Sequence, residues 1–118
     1  MRHEKIYRGE IYLAKLDFVI GIKQGEVRQV LIIQNNIGNY FNDTVIIAVI
    51  TSHIQKSDLP THVRLSYGYG LVKDSIVMLE QLRTVDKRRL GIRVDSLNNK
   101  DLLKVNRSLL ISIGIVPG

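Results

Sequence analysis

The chain contains no cysteine and no tryptophan, and only two prolines in 118 residues. Without cysteine there is no disulfide framework, no thiolate zinc site and no cysteine nucleophile, and the composition fits a reducing, cytoplasmic compartment. Imidazole chemistry is confined to His3, His53 and His62. No two of them stand at H-x-H or i, i+4 spacing and no D-x-D pair occurs, so a metal site has no support. Long apolar runs are also missing. The longest, Val45 to Ile50, has six residues, against about 20 for a membrane helix. The opening "MRHEKIYRGE" lacks the apolar segment of a secretory signal. "GYG" and "GIKQGE" match neither phosphate-loop pattern, and no G-x-S-x-G elbow marks a nucleophilic serine. Five Tyr and two Phe supply no RNP-type series for stacking bases.

What is present is a chain with 45% apolar residues, enough for one compact domain over residues 1–118. Seventeen Lys and Arg against eleven Asp and Glu leave a formal charge of +6. A polyanion or an acidic peptide is therefore a natural partner, with solubility the plainer reading of the same charge. The basic residues are scattered apart from one cluster at Lys87, Arg88 and Arg89.

Hydrophobic periodicity predicts strands joined by turn-rich segments and closed by one helix. "EIYLAKL", Glu10 to Leu16, alternates at period two. "VRQVLIIQN" and "TVIIAVITS" are β-branched, nearly continuous apolar runs of strand length, which suggests central strands covered on both faces. "THVRLS" is a shorter strand, and "DSIVMLEQLRTVD", Asp74 to Asp86, is another that sets Glu80 and Gln81 on opposite faces. "IGNYFND", "HIQKSDLP" and "YGYGLVKD" read as exposed loops. Near the C-terminus, Asn98 can cap a helix with Asp101 in its first turn. Leu102, Val105, Leu109 and Ile113 share one face of it, and Gly114 suits its end. Several strands with tight joints and one packed helix describe a small, strongly curved, partly closed sheet.

Arg28 stands at the start of one long apolar strand and Thr51 and Ser52 at the end of the next. If these strands are antiparallel neighbours, the guanidinium and the hydroxyls meet at one rim of the sheet. That combination suits a phosphate: a planar fork for two oxygens plus an adjustable hydroxyl donor. The ordinary alternative is an edge arginine paired with Glu26 and a threonine that merely suits a strand. His62 follows Pro60 in an extended segment and can be a base or a packed neutral ring. His53 reads as a loop residue and His3 as part of a frayed terminus.

"RGEIYLAKLD", "VRQVLIIQNNIGN", "TVIIAVITSHIQKSDLPTHVRL" and "KDSIVMLEQLRTVDKRRL", in this order and spacing, closely resemble the MazF/PemK family of toxins from bacterial toxin and antitoxin pairs, especially its Gram-positive branch. The similarity runs from Arg8 to Ile113. It implies a mainly β fold with a C-terminal helix, the SH3-like small barrel of the MazF/PemK and CcdB type, assembled as a homodimer. It further implies an endoribonuclease that needs no metal or other cofactor and cuts single-stranded mRNA at a short sequence, leaving 2′,3′-cyclic phosphate and 5′-hydroxyl ends. A MazE-like antitoxin with an acidic, flexible tail would neutralise it.

Carried over by motif, Arg28 and Thr51 match the family's catalytic arginine and threonine, and Gln24, Ser52 and Gln81 fall where RNA contacts are expected. Relatives commonly read "GSEQGGVRPV" where this chain reads "GIKQGEVRQV", so Ile22, Lys23, Glu26 and Gln29 depart from the pattern. Two other classes share the resemblance: a CcdB-like protein that binds DNA gyrase and cuts no RNA, and an inactive homologue that still binds the antitoxin.

Overall fold

The computed structural model describes residues 5–16, 26–53, 59–71 and 73–118. Six strands, β1 (Glu10–Leu16), β2 (Glu26–Ile32), β3 (Thr44–Thr51), β4 (His62–Leu65), β5 (Ser75–Asp86) and β6 (Leu90–Ser96), form one sheet in the order β4-β5-β3-β2-β1-β6. Every pairing in it is antiparallel. The expected central strands β2 and β3 do lie inside the sheet, beside one another. Both faces are buried, as their near-continuous apolar runs require. On one face Ile11, Leu31, Ala48, Ile50 and Val77 pack with Val105 of the C-terminal helix. On the other, Tyr12, Val30, Ile32, Ile47 and Val49 close on one another inside the curl of the sheet.

The curl has a local cause in β5. Its pairing with β3 jumps from Ala48↔Leu82 to Val49↔Met78, leaving Leu79, Glu80 and Gln81 without β3 counterparts. A bulge of this kind bends a strand and increases its twist. The N–H of Leu79 is taken by the carbonyl of Thr61 at 2.9 Å, which ties the bend to the segment leading into β4.

Several expectations need correction. "IGNYFND" is not wholly a loop, since Asn36–Phe41 forms a short helix, α1. One turn and a half is too short to display a helical period, but the capping residue is present: Asn35 Oδ1 accepts from the N–H of Gly38 at 2.8 Å. Behind it, Gln34 Nε2 donates to Asn39 Oδ1 at 3.1 Å, and Asn39 Nδ2 donates to the main-chain carbonyl of Gln34 at 2.9 Å. This satisfied buried pair anchors the turn from β2 to β3. The strand β6 also escaped the sequence pattern, because Gly91, Ile92 and Arg93 are all exposed along an edge and show no alternation.

The C-terminal helix α2 spans Asn99–Ser112. Asn98 caps it, its Oδ1 accepting from Asp101 N–H at 2.8 Å. Asp101 in turn accepts from the Tyr69 hydroxyl at 2.6 Å. Burial, and then that carboxylate, push the Tyr69 phenol above its ordinary pKa. Val105 is buried, and Leu102 and Leu109 pack against the same core. Ile113 does not join them: it lies at the helix end and is half exposed. Gly114 follows with φ +83°, the left-handed turn that ends the helix.

Asn98→Ala removes the cap and should lower stability by about 1 kcal/mol, read from the urea midpoint with an unchanged m-value. Asp86, which accepts from the side chain and the N–H of Arg88, has its pKa held down to about 2, chiefly by those hydrogen bonds. A folded pKa below the unfolded one means that this contribution is present above the ordinary carboxylate range and lost as pH falls through about 2. Titration of the Asp86 carboxyl by NMR should show this, and Arg88→Ala should return it towards the ordinary range.

Candidate active site

The site forms where two neighbouring strands part. β1 stays paired with β2 down to Leu16↔Glu26 and includes Ala14↔Arg28. β3 pairs with β2 over Val30↔Val49, Leu31↔Ala48 and Ile32↔Ile47. Continued by two residues, that register sets Arg28 across from Thr51, the juxtaposition that antiparallel neighbours require. There the backbone ladder gives way to a cleft of about 820 Å³. Arg28, Thr51, Ser52, His53, Lys73 and Glu26 all line it.

Arg28 is partly buried, and its Nη2 donates to the Ile50 carbonyl at 3.3 Å. The bond is long for an N–H donor, so it aims the guanidinium without consuming it. Four further N–H groups remain on the fork. Chain proximity offers Glu26 as the arginine's partner; the structure supplies a backbone carbonyl of β3 instead. Thr51 Oγ1 accepts from the N–H of His53 at 3.1 Å. With its oxygen fixed as an acceptor there, the threonine has its own hydrogen to give. Both groups can therefore donate to one anionic oxygen set between the strands.

Ser52 is exposed at the mouth of the cleft. Two ionisable lining residues were not singled out for the site by sequence reasoning. His53 read as a loop residue, and Lys73 sits in what read as the exposed loop "YGYGLVKD". Lys73 comes to the cleft because it leads into β5, which pairs with β3 through Thr51↔Ile76. Only that pairing, between segments more than 20 residues apart, could have disclosed it. The hydroxyl of buried Ser75 donates to the Lys73 carbonyl at 3.1 Å and steadies this entry. Among the described residues the lining thus carries two cations, one carboxylate and one imidazole, a balance suited to an anion.

Gln24 lies outside the described residues. Gln81 is exposed at the β5 bulge and does not line the cleft. Its neighbour Glu80 accepts or shares a proton with His62 Nε2 at 2.8 Å, so the second imidazole is engaged elsewhere. Among the described residues no helix is long and apolar enough to cross a membrane.

A curled antiparallel sheet with a C-terminal helix and a cleft lined by Arg28, Thr51 and Lys73 at the end of its central strands defines a class, and the comparisons with known proteins place the chain within it. The family model for the PemK-like, MazF-like toxin of type II toxin-antitoxin systems matches residues 7–113, and the chain belongs to that family. It is 46% identical to Endoribonuclease EndoA of Bacillus subtilis over 112 residues, which cover 94% of this chain and 97% of the relative. To Endoribonuclease MazF of Staphylococcus saprophyticus it is 47% identical over 109 residues, covering 92% and 91%. Among solved structures, a mycobacterial endoribonuclease in complex with its cognate antitoxin superposes with a TM-score of 0.80 at 21% identity, covering 97% of this chain and 100% of that one. A MazE-MazF structure from Deinococcus radiodurans gives 0.74 at 19% identity, covering 94% and 97%. The last two establish the shared fold.

Lys73→Ala should weaken binding of single-stranded RNA and lower the slope of log affinity against log salt by roughly 0.7, the value for one phosphate contact on a single strand. Fluorescence anisotropy across a salt series, with 2′-deoxy substitution to prevent cutting, measures it.

Proposed function

We propose that this protein is a cytoplasmic endoribonuclease toxin that cuts single-stranded mRNA at a short sequence, without a metal ion, and is neutralised by an antitoxin with an acidic, flexible segment. The observation that carries the reading is the placement of Arg28 and Thr51 across the parted ends of β2 and β3, both able to donate into one cleft. Relatives at 46% and 47% identity bear the name endoribonuclease. A mycobacterial structure of the same fold carries its cognate antitoxin. The proposed assembly is a homodimer.

The chemistry follows from the donors. When the ribose 2′-oxygen attacks the adjacent phosphorus, negative charge grows on the non-bridging oxygens, and preorganised donors aimed there supply the largest catalytic term. Arg28 gives a planar, permanently charged fork for two of those oxygens. Thr51 gives a hydroxyl whose direction is set by the His53 N–H on its oxygen. The O2′–P bond forms as the P–O5′ bond breaks, leaving a 2′,3′-cyclic phosphate and a 5′-hydroxyl. Ser52 at the mouth of the cleft, with Gln24 and Gln81, is assigned to contacts along the RNA.

Purified protein incubated with a long RNA in EDTA should produce discrete new 5′ ends at one short sequence. Cutting that disappears in EDTA and returns with magnesium would overturn the metal-free mechanism. Substitution of 2′-deoxyribose at the cut position should block cleavage, since the nucleophile is gone. Arg28→Ala should lower the single-turnover rate by about 100- to 1,000-fold, the usual loss for one oxyanion donor, with an unchanged unfolding midpoint. Arg28→Lys should recover little of it, because a point charge does not reproduce the fork.

A further inference from the structure

The attack requires a group to receive the 2′-hydroxyl proton, and neither donor serves: a guanidinium stays protonated throughout the physiological range and a threonine hydroxyl is far too weak a base. Among the described residues lining the cleft, His53, Glu26 and Lys73 remain. An ammonium has no lone pair to offer. A carboxylate is a weak acceptor for an alcohol proton at neutral pH, whereas imidazole titrates in the range where a general base is most efficient.

Geometry selects the same residue. The N–H of His53 donates to Thr51 Oγ1 at 3.1 Å, so its backbone is pinned to the residue that contacts the phosphate, and its exposed side chain lines the cleft with Arg28. A ribose whose phosphate sits on Arg28 and Thr51 carries its 2′-oxygen four bonds from the attacked phosphorus, through O3′, C3′ and C2′, and so places it in the cleft that His53 lines. The other described imidazole, His62, is tied to Glu80 and does not line this cleft.

We infer that His53 is the general base of the cleavage, an assignment that rests on the RNA-cutting reading above. Its unprotonated ring nitrogen takes the 2′-hydroxyl proton as the O2′–P bond forms; the P–O5′ bond breaks, the 5′-oxygen leaves with a proton from solvent, and the imidazolium returns its proton to water. Atoms balance as a transesterification, with no oxidant, metal or further reactant. Among the described residues, the charged groups that line the cleft with His53 are Glu26 and Arg28 from β2 and Lys73 from the segment before β5. General-base catalysis typically contributes about 100- to 10,000-fold.

The test is single-turnover cleavage of one short RNA by the full chain from pH 5 to 9, comparing parent, His53→Ala, His53→Gln and Glu26→Gln. Affinity is measured in parallel on the same RNA with 2′-deoxyribose at the cut position. The expected result is a rate for the parent that rises with pH through the imidazole range and then levels. Both His53 variants should lose that limb and roughly 100-fold or more in rate, with affinity kept within threefold. Added imidazole should restore cutting by His53→Ala in proportion to its unprotonated concentration. Three results would overturn the assignment: a His53→Ala rate within threefold of the parent with the same pH profile; slow cutting that keeps the parent's pH limb and ignores imidazole; or transfer of the limb's loss to Glu26→Gln. A parent that binds the RNA and never cuts it would instead sink the RNA-cutting reading itself, and this assignment with it.

Discussion

Hydrogen bonding in a sheet is cooperative along each pair of strands, and the cleft exists because one pair is cut short while its neighbour is not. β2 is held by β1 down to Glu26, but its pairing with β3 is confined to Val30 through Ile32. A backbone edge left without a ladder must find other partners, and here Arg28 reaches across to the Ile50 carbonyl. The same residue that bridges the opening is thus the one whose remaining donors face it. The other ends of both strands run into the two buried clusters, where Val30, Ile32, Ile47 and Val49 are essentially inaccessible. Groups placed on rigid strand ends hold their geometry better than groups on free loops.

The two-sided burial explains how relatives at 19% and 21% identity keep this fold. A core tolerates many combinations of apolar residues provided volume and pattern are retained. What the pattern must preserve is the alternation that sends Ile11, Leu31 and Ala48 towards α2 and Tyr12, Val30 and Ile47 into the curl. The long strand β5 pairs with β3 on both sides of the bend at Leu79 to Gln81, and with β4 through Ser75 to Met78. The same pairing delivers Lys73 to the cleft.

Charge is distributed in two ways. Outside the cleft, Arg88 meets Asp86 at 3.0 Å, Lys104 lies 3.9 Å from Asp101, and Arg93 meets the buried carboxylate of Glu10 at 3.1 Å. A solvent-exposed pair such as that of Arg88 and Asp86 contributes little to stability. Among the described residues of the cleft, Arg28 and Lys73 stand with one carboxylate, Glu26. Low-dielectric walls focus such a field on an incoming polyanion.

The sequence by itself determined the elements whose signal is local. Period-two alternation and β-branched runs placed β1, β3, β4 and β5 within a residue and β2 except for its end, which stops at Ile32 rather than Asn35, and Asn98, Asp101 and Gly114 delimited α2, because caps and periodicity depend on near neighbours alone. The meeting of Arg28 with Thr51 was legible too, since antiparallel pairing of two adjacent strands brings one strand's start to the other's end. The helix Asn36–Phe41, too short to show a period, was not, nor was the exposed edge strand β6. Tertiary structure alone decided that Gln81 stands apart from the cleft while Lys73 enters it, and that Arg28 bonds a carbonyl of β3. These depend on a bulge in β5 and on where a ladder stops. Both arise from packing between segments distant in the chain, for which no local pattern of residues is a sufficient cause.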